Sequence, residues 1–485
     1  MSPPAMNRPA KLARVMGLRD VVLLHVVAIV GVRWLLTAGR IGPSSILLWV
    51  AAVMLFFVPQ GLAVLELSAR MPEEGGVYVW AREAFGPFHG FVCGWAYWVN
   101  NLVYYPSLIV FIGGNAAFVL GRSYLGLADN TTYQILFSLG ILWLAMGLNI
   151  VGLRTGRWVQ NVGGLATWLV AFILIGLGMA TWWSGSGQDP LSGGSLVPEL
   201  SGSNIALWSS LCFALAGLEL AVVMGGEVKN PSRNLPRSIL IAAPIIAAIY
   251  ILGTLAILAA FPASEVNLVT GVVQAIGRMG EAMGIPVVRL AAILIVLGGL
   301  GGVGAWLAGT ARIPFVIGLD RFLPAALGRI HPRWHTPYIA LFVQGIGASV
   351  FILVAALGST VEEAYLVLVD TTIIVYFIPY LYLFAALPVL RRRAAQRETM
   401  AEVSDCARET SFRVPGGNAG LAFVVIAGLA TTAVSIVLSA LPSDVVASPV
   451  VFVAKIVGGA GGLMAIGLVF YVSAMRRRTG RRAGT

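Results

Sequence analysis

The chain has 485 residues, of which 58% are hydrophobic and 11% are charged, and its formal net charge is +11. Soluble proteins carry about 25% charged residues, and a soluble core cannot bury so much apolar surface. The apolar runs reach the roughly 20 residues that an untilted helix needs to cross a bilayer. Composition therefore excludes an ordinary soluble protein and favours a membrane protein with many spans.

Twelve apolar runs follow one another and predict an all-α integral membrane protein with twelve transmembrane helices. Their approximate ranges are 18–38, 44–69, 88–120, 131–153, 156–183, 204–224, 237–261, 286–315, 337–357, 362–390, 419–441 and 450–474. The first 17 residues are polar and basic. Because they contain no short apolar region with a small-residue cleavage site, no signal peptide is predicted.

Basic residues are concentrated in alternate loops. Of the 32 Lys and Arg residues, 26 lie in the segments 8–19, 70–82, 154–157, 229–237, 312–333, 391–413 and 476–482. The intervening loops hold only Arg40, Arg122, Arg278 and Arg289. Lys and Arg in short loops mark the cytoplasmic side. Both termini are therefore predicted to be cytoplasmic, in a plasma (inner) membrane, and the positive charge requires no nucleic-acid partner.

The charged segment 391–418 is predicted to be a cytoplasmic linker between the first ten spans and the last two. The ten spans divide into two groups of five. Because five is odd, a second group that repeats the fold of the first crosses the membrane in the opposite sense, as in many secondary transporters. The predicted units are the tail 1–17, the repeats 18–183 and 204–390, the last two helices 419–474 and the basic tail 475–485.

The first helix of each predicted repeat is interrupted near its middle. The residues concerned are Val30, Gly31, Val32, Arg33 and Trp34 in the first span, and Phe213, Ala216, Gly217, Leu218 and Glu219 in the sixth. Backbone groups freed at such breaks can bind a solute at the bilayer midplane. Glycine alone equally permits close helix packing. On the glycines by themselves, packing is the better interpretation.

Three charged residues, Arg33, Glu219 and Asp370, lie inside apolar runs. A charge at the bilayer centre costs about 2.5–3.5 kcal/mol on insertion scales and is usually functional. Arg33 is interpreted either as a partner in a salt bridge with Glu219 or Asp370, or as a ligand for a solute. Glu219 is a candidate proton carrier or, alternatively, a hydrogen-bond acceptor that holds the broken ends together. Asp370 is a second candidate for proton coupling unless it lies near a helix end.

Polar and aromatic residues in two spans are further candidates for a binding pocket. Asn101, Tyr104 and Tyr105 have the spacing of one helical face. They are interpreted as pocket residues, as an interfacial belt or as interhelical hydrogen-bonding groups. Phe213 precedes the second break by one turn and is interpreted as a lid over the solute or as a packing residue.

Cysteine and histidine give no sign of metal or redox chemistry. Cys93 and Cys212 lie in apolar runs and Cys406 lies in a charged stretch, so the cysteines suggest no pairing. His25, His89, His331 and His335 lack the spacing of metal ligands. No cofactor is expected. The spans also lack a catalytic cluster of recognisable spacing, so no enzyme is predicted.

Several motifs, in the correct order, resemble those of the amino acid-polyamine-organocation (APC) transporters. They are the acidic-Pro-Gly-Gly-aromatic segment 66–80, the Glu-Lys-Asn-Pro segment 226–237, the segment 311–324 with His331-Pro332 and Thr336-Pro337, and the segment 412–417. The resemblance covers residues 18–474. It is nearest to the glutamate/GABA exchangers and the plant polyamine-uptake branches.

The resemblance implies an inverted five-plus-five fold, alternating access, and an amino acid or amine substrate moved by proton symport or exchange. Gly31 matches the glycine-rich break that receives a carboxylate, Gly217 matches the second break, and Phe213 matches an aromatic gate. Arg33 stands where the family commonly has a small residue, so backbone capture of a carboxylate is open here. The alternatives are that Arg33 supplies the positive partner or that it favours a substrate with an extra acidic group. Thr167 stands where some branches have a coupling lysine, which makes Glu219 the better proton candidate.

The main hypothesis is therefore an amino acid transporter that works by proton symport or exchange. A polyamine or organic-cation carrier is an alternative, in which Glu219, Asp370 and the tyrosines form an anionic aromatic site. An Arg33 side chain that faces the pocket would argue against that alternative. A more remote alternative is a membrane sensor or partner subunit that keeps the fold without transport.

Overall fold

The computed structural model describes residues 16–71, 76–151, 153–189, 191, 196–198, 202–220, 228–310, 322–334, 336–400, 412–444 and 446–483. Within these ranges all regular secondary structure is helical, apart from one isolated bridge between Met16 and Val228. Parts of three motifs (72–75, 226–227 and 311–321), together with His335 and Cys406, lie outside the described residues.

Ten α-helices occupy the described N-terminal part of the chain. They are α1 (Leu18–Ile29), α2 (Trp34–Ile41), α3 (Ser45–Ala52), α4 (Val58–Arg70), α5 (Val77–Phe85), α6 (Pro87–Val99), α7 (Asn101–Leu120), α8 (Thr131–Val151), α9 (Leu153–Trp183) and α10 (Gly202–Ala214). A π-helical turn, Val53–Phe57, makes α3 and α4 one continuous rod. Asn100 alone separates α6 from α7.

Seven further α-helices follow in the described C-terminal part. They are α11 (Pro231–Ala260), α12 (Gly271–Ala282), α13 (Val288–Thr310), α14 (Tyr338–Ala356), α15 (Val361–Met400), α16 (Gly417–Leu438) and α17 (Pro449–Ala483). The short helices α5 and α12 lie between predicted spans. Each buries one apolar face against the bundle, and each is too short to cross a bilayer.

Nine described helices are long and apolar enough to cross a membrane. They are Ser45–Arg70, Pro87–Leu120, Thr131–Val151, Val162–Trp183, Arg233–Ala260, Tyr338–Ala356, Val361–Gln396, Gly417–Leu438 and Pro449–Arg477. Asn204–Ala214 and Val288–Gly304 are shorter apolar helices. The predicted all-α integral membrane protein is thereby confirmed. The remaining predicted runs fall on helices that are short or interrupted, or that end next to residues outside the described ranges.

Glycine permits the close packing of α9 on α13. A Cβ atom at Gly163 would lie 2.5 Å from the Gly301 Cα, and one at Gly298 would lie 2.6 Å from the Thr167 Oγ1. Neither helix could therefore approach the other so closely with a larger side chain at these positions. The pair forms one wall of the cavity described below.

The carboxylate of Glu66, at the end of α4, joins three parts of the chain. It accepts a hydrogen bond from the Val414 N–H at 2.7 Å and pairs with Arg70 at 3.2 Å and Arg391 at 3.5 Å. Arg391 lies on α15, which continues to Met400, well into the segment predicted as a linker. Residues from the first and last APC-like motifs, Glu66 and Val414, thus meet in space.

Candidate functional site

The first interruption lies between α1 and α2, where Val30 to Arg33 leave the regular helix. The chain re-enters a helix through tight turns, in which Trp34 N–H donates to the Gly31 carbonyl at 3.1 Å. The N–H groups of Val32 and Arg33 donate no hydrogen bond to any described residue. Because these groups stand at the positive end of α2, they are suited to receive a negatively charged group.

The second interruption follows α10, where the residues from Leu215 to Glu219 are not helical. Gly217 has a φ of +128°, a conformation that side chains with a Cβ rarely adopt. A Cβ atom at Gly217 would also lie 3.2 Å from the Ile29 Cγ1 at the end of α1. Glycine is therefore needed both for the turn and for the contact between the two breaks.

The hydroxyl of Tyr250, on α11, connects the two breaks directly. It lies 2.6 Å from the Ile29 carbonyl oxygen and 2.9 Å from the Ala214 carbonyl oxygen, which share its single proton. It also accepts a hydrogen bond from the Gly31 N–H at 3.2 Å. One side chain thus satisfies backbone groups that both helix ends leave without helical partners.

A cavity of about 720 Å³ extends from the first break along α1 to Met16 and Asp20. Asp20 is exposed, so the cavity reaches the surface at the N-terminal end of α1. The residues that line it at the break are Val30, Gly31, Val32, Arg33, Trp34 and Tyr104, and those on the α9 and α13 wall include Gly164, Thr167, Trp168, Gly298, Gly302 and Trp306.

Arg33 lines this cavity although its side chain is almost wholly buried, with 3% exposure. Its Nη1 donates to the Ser107 Oγ at 3.0 Å. The guanidinium carbon lies 4.3 Å from the ring centroid of Trp34 and 5.0 Å from that of Tyr104. No ion pair joins Arg33 to Glu219 or Asp370, and all three are described residues. The salt-bridge interpretation of Arg33 therefore has no counterpart in the structure.

Glu219 is fully buried and is surrounded by neutral donors. Its Oε1 accepts from the hydroxyls of Tyr376 at 2.6 Å and Tyr97 at 3.2 Å. Its Oε2 accepts from the Tyr380 hydroxyl at 2.6 Å and from the Gln60 amide at 3.3 Å. The carboxylate thus ties the second break to α4, α6 and α15.

Tyr380 has a second role at the same break. Its hydroxyl donates to Glu219 and accepts a hydrogen bond from the Gly217 N–H at 2.8 Å. Glu219 lines neither the 720 Å³ cavity nor the smaller cavity beside Phe213. Of the two interpretations given for Glu219, the contacts are those of an acceptor that holds the broken ends.

The smaller cavity, of about 20 Å³, lies between the two breaks. Its lining includes Trp34, Tyr104, Phe213, Ala216, Trp306 and Tyr376. The ring centroid of Phe213 lies 5.3 Å from that of Trp34 and 5.4 Å from that of Tyr376, both edge to face. Phe213 therefore lies where a lid or gate would have to be, within an aromatic cluster that also packs it in place.

The remaining predicted site residues lie away from both described cavities. The Asn101 amide donates to the carbonyls of Tyr97 and Trp98 in its own rod, and Tyr105 packs in a separate core cluster. Leu218 is fully buried and lines neither cavity. Asp370 is 7% exposed and makes no hydrogen bond or ion pair with a described residue. Of the polar trio on one helical face, only Tyr104 reaches the cavities.

Several residues at the site were not predicted from the sequence. They are Gln60, Tyr97, Ser107, Tyr250, Trp306, Tyr376 and Tyr380. Tyr376 and Tyr380 are spaced i and i+4 in an apolar span, which places two hydroxyls on one helical face. That spacing could have identified these two tyrosines as candidates from the sequence. Tyr250 stands alone in its span and carries no such signal.

These features together define a class of protein. The described helices form a membrane bundle, two of them are interrupted, and the interruptions meet at the end of a cavity that opens to one surface. Broken helices around a central solute site are characteristic of secondary transporters.

Comparison with known proteins gives the family. The family model described as amino acid permease matches residues 16–461. The chain therefore belongs to the amino acid permease family, within the APC superfamily, and is a transporter rather than an enzyme. The resemblance drawn from the sequence motifs is confirmed.

Three relatives illustrate the range of the family. An uncharacterized transporter of Legionella pneumophila is 31% identical over 431 residues, which cover 87% of this chain and 88% of the relative. A probable agmatine/putrescine antiporter of Lactococcus lactis is 25% identical and covers 73% of this chain and 75% of its own length. A serine/threonine exchanger of Bacillus subtilis is 26% identical, with coverage of 69% and 72%.

Proposed function

We propose that this permease moves an amino acid across the plasma (inner) membrane by alternating access, and that it does so by exchange. The observation that carries the proposal is the 720 Å³ cavity that ends at the first helix break, where N–H groups and Arg33 face the space. Positive groups at a mid-helix break match the carboxylate that all amino acids carry.

The fold proposed for this mechanism has twelve spans in a five-plus-five inverted repeat, followed by two further helices. Nine spans come from the long apolar helices, and the others from the α1–α2 pair, from α10 with the residues that follow it, and from α13. The two interrupted helices, α1–α2 and α10, then begin the first and second repeats. In an inverted repeat the solute site is formed by such interrupted helices, one from each repeat.

We further propose that the structure represents an inward-facing state. The cavity opens beside Met16 and Asp20, on the side that the basic loops mark as cytoplasmic. At the break itself, where the cavity ends, Arg33 is bonded to Ser107 and packed against the rings of Trp34 and Tyr104. Solute release to the cytoplasm follows from this state, and outward opening requires these contacts to separate.

The substrate contacts proposed are those of the two breaks and the smaller cavity. Val30, Gly31, Val32, Arg33 and Trp34 form one side, and Phe213, Ala216 and Gly217 form the other. Tyr104 lies between them and lines both cavities. The carbonyl end of α1, which is the negative end of its helix dipole, is the matching site proposed for the substrate's ammonium group.

Three observations favour exchange over proton symport. Glu219 is enclosed by four neutral donors and lines neither described cavity. Thr167, which occupies the place of the coupling lysine in other branches, donates to the Gly163 carbonyl in its own helix. The relatives from Lactococcus lactis and Bacillus subtilis are named as an antiporter and an exchanger. Proton carriage by Glu219 or Asp370 stays a prediction, which substitutions of these two residues would test.

A polyamine or organic-cation substrate is the second candidate, and the name of the Lactococcus lactis relative favours it. A dication would need an anionic group at the break, where the solute is proposed to bind. Asp20 lines the cavity only at its open end, whereas Arg33 lines it at the break and Glu219 does not line it. The charge at the break therefore favours an amino acid over an amine.

Counterflow in proteoliposomes tests the proposal. Vesicles are loaded with one unlabelled amino acid or amine, and uptake of the same labelled solute is measured with and without a pH gradient. We expect exchange of at least one amino acid that does not require the gradient. If a folded, inserted protein exchanges none of the amino acids, the proposal fails, and exchange of amines alone would establish the alternative.

A further inference from the structure

The guanidinium of Arg33 is a positive charge inside the bundle and forms no ion pair with a described residue. Among the described residues, no group accepts a hydrogen bond from its Nη2, and no carboxylate lies within ion-pair distance. The Ser107 hydroxyl that Nη1 contacts is itself neutral and donates onward to the Tyr104 carbonyl at 2.8 Å. A buried charge is costly unless an opposite charge offsets it.

The surroundings of Arg33 orient the side chain for an anion. Trp34 and Tyr104 pack against the guanidinium, which limits its rotation and leaves hydrogen-bonding N–H groups at its edge. Tyr365 is 1% exposed and its hydroxyl interacts with the Arg33 side chain, but among the described residues this hydroxyl has no acceptor for its own proton. A carboxylate can accept hydrogen bonds from the guanidinium fork and from a hydroxyl at once.

The break already contains groups for one carboxylate without the Arg33 side chain. The N–H groups of Val32 and Arg33 are free of described partners at the positive end of α2. The guanidinium adds a full positive charge beside them, in the same cavity. A zwitterion with one carboxylate leaves one of these two sites unfilled, whereas a solute with two carboxylates and one ammonium group fills both.

We infer that Arg33 binds a second carboxylate of the substrate, so that this permease selects amino acids with an acidic side chain. The inference rests on the proposed function and deepens it, because it names the substrate class of the same site. Arg33 is then the residue that determines specificity. Amides of the same shape lose the charge-assisted hydrogen bonds, and amines meet a like charge in the cavity.

Competition in the counterflow assay tests the inference. The panel comprises glutamate and aspartate, their amides glutamine and asparagine, neutral amino acids such as serine and alanine, and the amines agmatine and putrescine. For the wild type we expect the acids to compete at least about tenfold more tightly than their amides. R33Q is expected to abolish that preference, while R33K, which keeps the charge but not the planar fork, retains part of it.

R40Q is the matched control. Arg40 lies on the same helix, α2, but its guanidinium contacts Asp444 and backbone carbonyls rather than the cavity. R40Q removes one positive charge and is expected to leave the ratio of acid to amide affinity unchanged. A structural role for Arg33 would lower uptake of every solute in R33Q to the same degree, with no change in that ratio, and this result would overturn the inference.

If R33Q does not fold, competition in the wild type alone tests whether the permease selects acidic amino acids. Amides or neutral amino acids that compete as well as the acids overturn the inference while the proposed exchange of amino acids stands. If no amino acid of the panel exchanges, the proposed function itself fails. The two failures are therefore distinguished within one assay.

Discussion

Tyrosine hydroxyls satisfy most of the polar groups that the second break leaves buried. Tyr376, Tyr380 and Tyr97 donate to the Glu219 carboxylate, and Tyr250 contacts the backbone of both breaks. Buried polar groups without partners are costly, and in a membrane bundle few other donors reach this depth. The geometry of the site therefore depends on individual hydroxyl groups.

Y250F should loosen the contact between the two breaks. The substitution removes one hydroxyl and leaves the Ile29 and Ala214 carbonyls and the Gly31 N–H without it, at a cost of about 1–3 kcal/mol. We expect a lower unfolding temperature in detergent and slower exchange. Y133F, which removes a single hydrogen bond to the Gly113 carbonyl far from the site, is the control. Equal effects of the two variants would contradict a special role for Tyr250.

E219Q tests the predicted proton carriage. A glutamine cannot take up a proton, and its NH₂ group would face hydroxyl and amide groups that donate to Glu219 in the wild type. We therefore expect the loss of any pH-gradient dependence, with exchange partly retained. D370N examines the second carboxyl group that is a candidate for proton coupling, in the same vesicles. Uptake with an unchanged pH-gradient dependence in E219Q would remove Glu219 from coupling, and a loss confined to D370N would transfer the role to Asp370.

At the scale of helices, a break depends on residues that permit it and on tertiary contacts that hold it. Gly217 adopts a φ of +128°, and a Cβ atom there would lie 3.2 Å from the Ile29 Cγ1 across the interface between the breaks. By contrast, Pro106 lies within α7 without ending it, because neighbouring helices stabilise a proline kink in a membrane bundle. The tertiary contacts of each residue, more than its intrinsic preference, decide whether a helix ends.

G217A should strain the second break. Alanine at this φ costs about 1–3 kcal/mol, and its methyl group would press on the Ile29 side chain at 3.2 Å. We expect exchange to fall at least about tenfold, with reduced thermal stability. G147A is the control, because a Cβ there meets nothing within 4 Å, and alanine in a helix is favoured by about 0.5–1 kcal/mol. A G217A variant with wild-type exchange would show that the break tolerates a side chain.

At the scale of the whole molecule, the predicted orientation connects the cavity to the cell. The basic loops predict that both termini and the segment 391–418 lie in the cytoplasm, and with this orientation the cavity opens on the same side. This predicted orientation determines whether the described state exchanges solute with the cytoplasm or with the outside of the cell.

The three native cysteines allow the orientation to be tested without new labels. Cys93 and Cys212 are wholly buried, so a membrane-impermeant thiol reagent should not reach them. Cys406 lies in the segment predicted to be cytoplasmic. We expect labelling in inside-out vesicles, none in intact cells, and none in the C406S control. Labelling of Cys406 from outside intact cells would invert the predicted topology and the direction of the cavity.

The sequence alone determined the membrane class, most of the spans, the two interruptions and, through its motifs, the family, because these depend on local composition and on spacing along the chain. It also singled out Arg33 and Glu219 as unusual charges. Their partners were decided only by the tertiary structure. Tyr380 lies 161 residues from Glu219 along the chain, and Tyr250 lies 221 residues from Ile29. Contacts over such distances are set by helix packing. For that reason only the tertiary structure shows Arg33 in a cavity with no ion pair to a described residue, and Glu219 enclosed by hydroxyl groups.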